Sequence, residues 1–461
     1  MNSVPWSYAP YKPYFYDVGD IYICRISPTE TAFTLEWLKN GEEYTVFLKK
    51  RDEENFREVL KTKDTFCTIS DLEENTEYEV FVQCGDKKSR TRLVRCGDHE
   101  GIAVNYLHPD DEAYAFSGHF LCSPSLVKHP DGYLLASMDL FCGDYPQNLT
   151  LIYRSDDGGE SWHYVSELMP CFWGKLFIHK NELYMISCST EYGDLLIGKS
   201  VDGGKTFTSP TVILRGANGK HGECGVHKNP QNVLFYNNRI YITIEWGSWG
   251  RKYHAPTVIS CDCDKDLLDY KNWVIPHPVK YDPTWEGVAQ GDSCGNLEGT
   301  LVVSPENKVY NIMRYQTERC TPRYGLALVY EVDTEHYENP IKYSYAMEFP
   351  ANLSKFMIKK DEKTGLYYTI CSRITDPEHI CARNLLSLMV SKDLKKWDLV
   401  CDLIDKRHED PMKIGFQYVD FEFDNDDIIW LCRTAQNQAD NYHNSNYITF
   451  HRTKNFRDIK Y

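Results

Sequence analysis

The sequence predicts an all-β protein, with a small β-sandwich over residues 1–97 and a six-bladed β-propeller over residues 98–461. Three observations predict it. A short turn followed by a strand recurs six times, as PDGYLLAS (130–137), KNELYMIS (180–187), NNRIYITI (237–244), ENKVYNIM (306–313), KTGLYYTI (363–370) and NDDIIWLC (425–432). Aligned on Tyr133, Leu183, Ile240, Val309, Leu366 and Ile428, the copies are 50, 57, 69, 57 and 62 residues apart, a period long enough for several strands per copy. Aromatic residues make up 14% of the chain, 33 of them Tyr, and alanine-rich or leucine-rich helical stretches are absent, so strands dominate.

The first 97 residues hold none of the repeat. Their period-2 runs AFTLEWL, EYTVFLKK and EYEVFVQC are separated by charged turns, the pattern of half-buried strands. In DLEENTEYEVFV (71–82), Leu72 precedes Tyr78, whose hydroxyl is placed to bond back to nearby backbone, and Trp37 is a candidate core residue. Over residues 16–97 this resembles the tyrosine corner and core tryptophan of fibronectin type III modules. The resemblance implies a spacer or support for the second domain.

Residues 98–461 leave about 61 residues per repeat, enough for four strands and their turns. The second repeat shows them in order: FWGKLFIH, ELYMISCS, DLLIGKS and TFTSPTVIL. Between its third and fourth strands lies SVDGGKTF (200–207); the first repeat has SDDGGESW (155–162) at that place and the fifth a reduced SKDLKKW (391–397). Asp157 and Asp202 can accept turn amide hydrogens, Gly159 and Gly204 permit positive φ, and Trp162 and Phe207 anchor the turn.

Composition narrows the function. A formal charge of −16 argues against a nucleic-acid partner, and no apolar run approaches the roughly 18 residues of a membrane span. The opening MNSVPWSYAPYKPY lacks a basic segment and apolar core, so a cytoplasmic location is expected, or a secreted one if a leader has been removed. The 17 cysteines are scattered through apolar strand patterns and read as reduced thiols. Cys261 and Cys263 have no second pair at zinc spacing, and GxGxxG, Walker and HExxH motifs are missing, so no metal or cofactor is expected.

In an up-and-down blade, first strands start, second strands end and third strands start on one face, where a central funnel opens. Second strands end at Asp139, Glu245, Arg314 and Arg433. First strands start near His119, Trp173, His227, Glu298, Lys355, Gln417, Tyr418 and Asp420, and third strands near His254, Arg383 and His443. Carboxylates and arginines converging on one opening suit a site for an acidic sugar, because a guanidinium holds a carboxylate bidentately.

The repeat, the S-x-D-x-G turns, which match Asp boxes (BNR repeats), and the three arginines together resemble the sialidase superfamily of glycoside hydrolases over most of residues 100–461. That resemblance implies a carbohydrate substrate, with Arg314, Arg383 and Arg433 as a carboxylate-binding triad. It also implies Tyr418 as nucleophile, Glu245 or Glu298 as its helper, and Asp139 as acid/base. A two-carboxylate glycosidase drawing on Asp139, Glu245, Glu298 and Asp420 stays open. His119, Trp173, His227, His254, Lys355, Gln417 and His443 complete the candidate binding set. A polysaccharide lyase using His or Tyr, or a non-catalytic glycan-binding propeller, are the other readings. The sequence leaves the oligomeric state open.

Overall fold

Alternation of apolar and polar residues decides where the first strands lie. Phe33–Trp37 buries Phe33, Leu35 and Trp37, and Tyr44–Lys50 buries Tyr44, Val46 and Leu48. The computed structural model describes residues 20–217, 222–293 and 295–460, so the opening segment read for a leader and Cys294 lie outside the described residues. Ile23–Pro28, Phe33–Trp37 and Phe66–Ile69 form one antiparallel sheet. In the second, Tyr44–Lys50 lies between Arg57–Thr62 and Glu77–Cys84, and Lys87–Lys88 and Arg92–Arg95 both pair with Glu77–Cys84. Trp37, Tyr44, Val46, Tyr78 and Val80 fill the space between the sheets. The Tyr78 hydroxyl accepts the Glu73 backbone N–H at 2.8 Å, the corner bond expected of it.

Six antiparallel blade sheets follow among the described residues, beside a small two-stranded sheet of Gln290–Gly291 and Cys320–Thr321. Blade one is Phe120–Lys128, Leu134–Phe141, Thr150–Ser155 and His163–Leu168; blade two is Phe172–His179, Glu182–Cys188, Leu195–Ser200 and Thr211–Leu214. In blade three Gly225–His227 and Leu234–Tyr236 share the innermost position before Arg239–Ser248, Tyr253–Asp262 and Trp273–Val274. Blade four is Gly295–Val303, Val309–Gln316, Leu326–Val332 and Lys342–Glu348, and blade five is Ile358–Lys360, Tyr367–Ser372, Leu385–Ser391 and Asp398–Asp405. Blade six takes Gly415–Asp424, Asp427–Ala435 and Tyr447–Thr453 from the end of the chain and Ile102–Tyr106 from before blade one. That pairing closes the ring, with Tyr447 opposite Tyr106 and Ile448 opposite Asn105.

The turns behave as their sequences require. Asp157 accepts Ser161 N–H at 2.9 Å and Asp202 accepts Thr206 N–H at 2.9 Å, while Gly159 and Gly204 have φ of +105° and +86°. A β-carbon on Gly159 would come within 2.0 Å of the Phe450 ring, so the position admits glycine alone. Trp162 is fully buried and donates its indole N–H to Gly159 O at 3.0 Å.

The sandwich is bonded to the propeller rather than tethered. Arg25 donates to the carbonyls of Val104 (2.8 Å) and Ala103 (3.2 Å), Asn105 accepts Ile26 N–H, and Tyr153 donates to Cys24 O at 3.0 Å. Arg92 pairs with Asp111 at 2.7 Å, both almost fully buried. Tyr22 and Cys24 belong to blade one's apolar core, so the two units share packing.

Candidate active site in the funnel

The site side chains are aimed by a repeated backbone irregularity. In blades one, two, four and six the first strand slips register by one residue near its start, between Cys122 and Ser125, Phe172 and Lys175, Leu297 and Gly299, and Gln417 and Asp420. Within each slip one residue takes left-handed φ: Ser123 (+51°), Trp173 (+55°), Glu298 (+57°) and Tyr418 (+56°). Such a bulge leaves one residue unpaired and re-aims its side chain. A non-glycine residue held there costs about 1–3 kcal/mol, and four equivalent cases mark the face where the protein tolerates that cost.

Tyr418 and Glu298 meet across the funnel. The Tyr418 hydroxyl donates to Glu298 Oε1 at 2.7 Å, while Arg314 donates to Glu298 Oε2 at 2.6 Å and to the Tyr418 oxygen at 3.1 Å. Arg433 and Arg383 approach the same phenol, with guanidinium carbons 5.2 and 5.8 Å from its ring centroid. Burial would raise the Glu298 carboxyl, but Arg314, His227 and the two hydrogen bonds outweigh it and hold the group below its ordinary value. Burial and the Glu298 charge raise the Tyr418 phenol, opposed by the three arginines. Glu298 is thus ionised at neutral pH and accepts the hydrogen bond of a phenol that keeps its proton there.

Arg383 and Arg433 lack a carboxylate partner among the described residues. Arg383 donates to Gln417 Oε1, and Arg433 donates to Ser445 Oγ at 2.9 Å and to His443 O. Arg383 Nε is buried with no hydrogen-bond partner, and burial, with Arg314 and Arg433 nearby, lowers this guanidinium below its usual value. Among the described residues these two buried cations have no carboxylate partner, and they lie beside the Arg314–Glu298 pair. His443 is pushed far down by burial and by Arg433, Arg383 and Arg314, so it is neutral here.

A second wall is aromatic. Trp173 packs edge-on to His227 (4.5 Å between centroids), His227 lies 4.6 Å from His254, and His254 stacks with Tyr192 at 5.9 Å. Trp249 N–H donates to the Tyr192 oxygen at 3.0 Å, and the Tyr192 hydroxyl and His254 Nε2 share a hydrogen bond at 3.2 Å. Burial, His227 and Arg314 keep His254 neutral. His119 stands apart, against Tyr145 at 4.7 Å.

Three of the predicted carboxylates hold blades together. Asp139 accepts Thr150 Oγ1–H at 2.5 Å and Trp173 N–H at 2.7 Å, is fully buried, and is pushed up to about 7 by that burial. Glu245 bonds His227 Nδ1 at 2.6 Å and accepts Gly299 N–H. Asp420, read as facing the funnel, lies on the propeller axis, where it accepts Leu126 N–H at 2.8 Å and pairs with Lys175. The bulge explains its displacement: the extra residue turns Tyr418 into the funnel and sends Asp420 inward.

Lys355 is likewise axial, donating to Val419 O at 2.8 Å. Lys228 donates to Trp173 O at 2.7 Å. Burial lowers Lys355 to about 7 and Lys228 to about 8. A buried ammonium costs several kcal/mol after relaxation, so a packing role alone would be served better by Met.

Strand-end reasoning passed over the loops that follow the second strands. Glu191 and Tyr192 follow blade two's second strand; Glu191 is buried and accepts Gln147 Nε2–H at 2.8 Å, and its charge acts on Tyr192 beside those of Glu245 and Glu298. Asp144, exposed, occupies the corresponding loop of blade one. The signal was present as acidic residues in CGDYPQN and STEYGD, two loops of like position.

No family model matches the chain, and no curated protein matches it. Among solved structures, an α-L-arabinanase of Penicillium chrysogenum complexed with arabinobiose superposes with a TM-score of 0.53 at 14% identity, over 78% of this chain and 99% of that one. The shared feature is the propeller fold. A sialidase of Streptococcus pneumoniae gives a TM-score of 0.49 at 9% identity, over 96% of this chain and 93% of that one. The sialidase of Trypanosoma rangeli gives 0.47 at 14% identity, over 73% and 55%.

Proposed function

We propose that the protein is a sialidase-like glycoside hydrolase that removes an acidic sugar from a glycan or oligosaccharide. The observation that carries this reading is the 2.7 Å Tyr418–Glu298 hydrogen bond inside a ring of three arginines, two of them without a carboxylate partner among the described residues. The sugar carboxylate is held by Arg314, Arg383 and Arg433 through charge-assisted bonds. The Tyr418 oxygen attacks the anomeric carbon as its proton passes to Glu298 Oε1, and the bond to the leaving oxygen breaks. A rim carboxyl, Asp144 or Glu191, protonates that oxygen; Asp139 is committed to Thr150 and Trp173. Water then attacks the glycosyl–tyrosine, its proton goes to the rim carboxylate, and Tyr418 recovers its own from Glu298. The arabinanase named above is bound to arabinobiose, which accords with a carbohydrate as substrate.

One observation favours a lyase as the second reading: His254 is neutral and hydrogen-bonded to Tyr192, a pair able to move a proton beside a neutralised carboxylate. Mass spectrometry of products from sialosides, uronate-containing oligosaccharides and neutral glycans decides between them. Hydrolysis adds the mass of one water across the fragments; a lyase adds none and leaves an unsaturated product. Turnover confined to neutral glycans would overturn the acidic-sugar reading, and no product from any glycan would overturn both.

A further inference from the structure

We propose that Lys228, Gln231 and Lys355 are positioning residues, which grip from the propeller axis the strained backbone that aims Trp173, Glu298 and Tyr418 into the funnel. A bulge removes ladder partners, so its peptide groups must find others. The carbonyls find them in this trio: Lys228 Nζ donates to Trp173 O at 2.7 Å, Gln231 Nε2 to Glu298 O at 3.2 Å, and Lys355 Nζ to Val419 O, next to Tyr418, at 2.8 Å. The amides find them in carboxylates of the preceding blade, Asp139 for Trp173 and Glu245 for Gly299. Lys228, Gln231 and Lys355 are 3%, 5% and 1% exposed, so water does not stand in for them.

The same side chains tie blades together. Lys228 and Gln231, from blade three's broken inner strand, reach blades two and four, Gln231 also donates to Phe356 O at 3.0 Å, and Lys355, from the start of blade five, reaches blade six. Retention of two costly ammonium groups follows from this task. A carbonyl that the bulge leaves without a ladder partner needs a donor at the end of a long arm, which Met or Leu of similar volume lacks. The Tyr418–Glu298 contact joins two bulges 120 residues apart, so its length depends on both grips.

The catalytic part of this inference rests on the function proposed above; the geometric part does not. Lys355→Met and Gln231→Met are compared with Phe207→Leu, a destabilising control in a turn on the opposite face. In Lys355→Met and Gln231→Met, kcat should fall 10-fold or more with KM little changed. The acidic limb of the kcat/KM profile should move to higher pH: in Gln231→Met because Glu298 loses its bonds from Tyr418 and Arg314 while His227 stays close, and in Lys355→Met because it loses the Tyr418 bond and the nearby Lys355 charge. Phe207→Leu should lower Tm without either change. Unchanged kcat and an unmoved acidic limb in both folded Met variants would overturn the proposal. A crystal structure of Lys355→Met should show Tyr418 out of the left-handed region and away from Glu298. If φ stays near +56° and the contact near 2.7 Å, the grip is refuted whatever the substrate. If Lys355→Met does not fold, the crystal structure and kinetics of Gln231→Met carry the same test at Glu298. Wild-type protein inactive on every glycan would sink the function, and the crystal structures would still decide the grip.

Discussion

Tyr418 and Glu298, 120 residues apart, occupy equivalent left-handed bulges on blades six and four and share a 2.7 Å hydrogen bond. Neither strand alone could make the contact. It exists because two blades present the same irregularity to one opening, and it couples a phenol with a raised proton affinity to a carboxylate with a lowered one.

Glu298→Gln keeps the shape of this contact and removes the proton acceptor. A loss of about 10²–10⁴-fold in kcat is expected, with the circular dichroism of a folded propeller and a lower Tm, because Arg314 is left buried without its counter-charge. Steady-state kinetics on the identified glycan is the check, and full activity in the folded variant would remove Glu298 from the mechanism.

Arg383→Lys and Arg433→Lys retain charge and lose the planar fork. Each loses a charged hydrogen bond worth about 1.5–3 kcal/mol, which is roughly a 10–100-fold weaker grip on the sugar carboxylate. The loss should appear in kcat/KM for the acidic substrate and vanish for its methyl ester. Equal losses on both would place the arginines outside carboxylate recognition.

Asp139 ties its blade to Trp173 with a carboxyl that burial pushes up to about 7. Its folded value exceeds the unfolded one, so the native state binds the extra proton between about pH 4 and 7. The stability from that proton is full below the unfolded pKa and lost as pH rises through 7, at up to about 1.4 kcal/mol per pH unit. Asp139→Asn bonds the same groups without titrating. Denaturant melts from pH 5 to 8 should show wild type losing ground against the variant; parallel curves would refute the assignment.

Arg92→Met leaves Asp111 buried without its cation at the junction of sandwich and propeller. Removing one partner of such a pair costs about 3–5 kcal/mol. Calorimetry should show a large drop in Tm, and Asp111→Asn in the same background should recover part of it. No change in Tm would mean the junction is not where stability resides.

The blade count, the strand order and the funnel face were legible because each repeat carries its own hydrophobic alternation and turn chemistry. Tyr418, Glu298 and the three arginines fell on that face from strand position alone. The bulges were not legible, since no glycine marks them: Ser, Trp, Glu and Tyr fill the left-handed positions. That hidden residue is why Asp420 was placed in the funnel and is found on the axis, and why Lys355, read as a substrate contact, holds Val419 O instead. Asp139 and Glu245 sit at the expected strand ends, but their hydrogen bonds to the next blade depend on inter-blade packing, which one sequence does not encode locally.

Blade six borrows Ile102–Tyr106 as its outer strand, and this sets the order of biogenesis. During synthesis that segment emerges early, yet its partner Tyr447–Thr453 is made about 20–70 s later at ordinary elongation rates. For that interval Ile102–Tyr106 is an edge without its partner strand, and the blade that carries Tyr418 is incomplete. The funnel therefore cannot be assembled until Tyr447–Thr453 has been made, and loss of that strand or of Ile102–Tyr106 would disable the same blade from opposite ends of the ring.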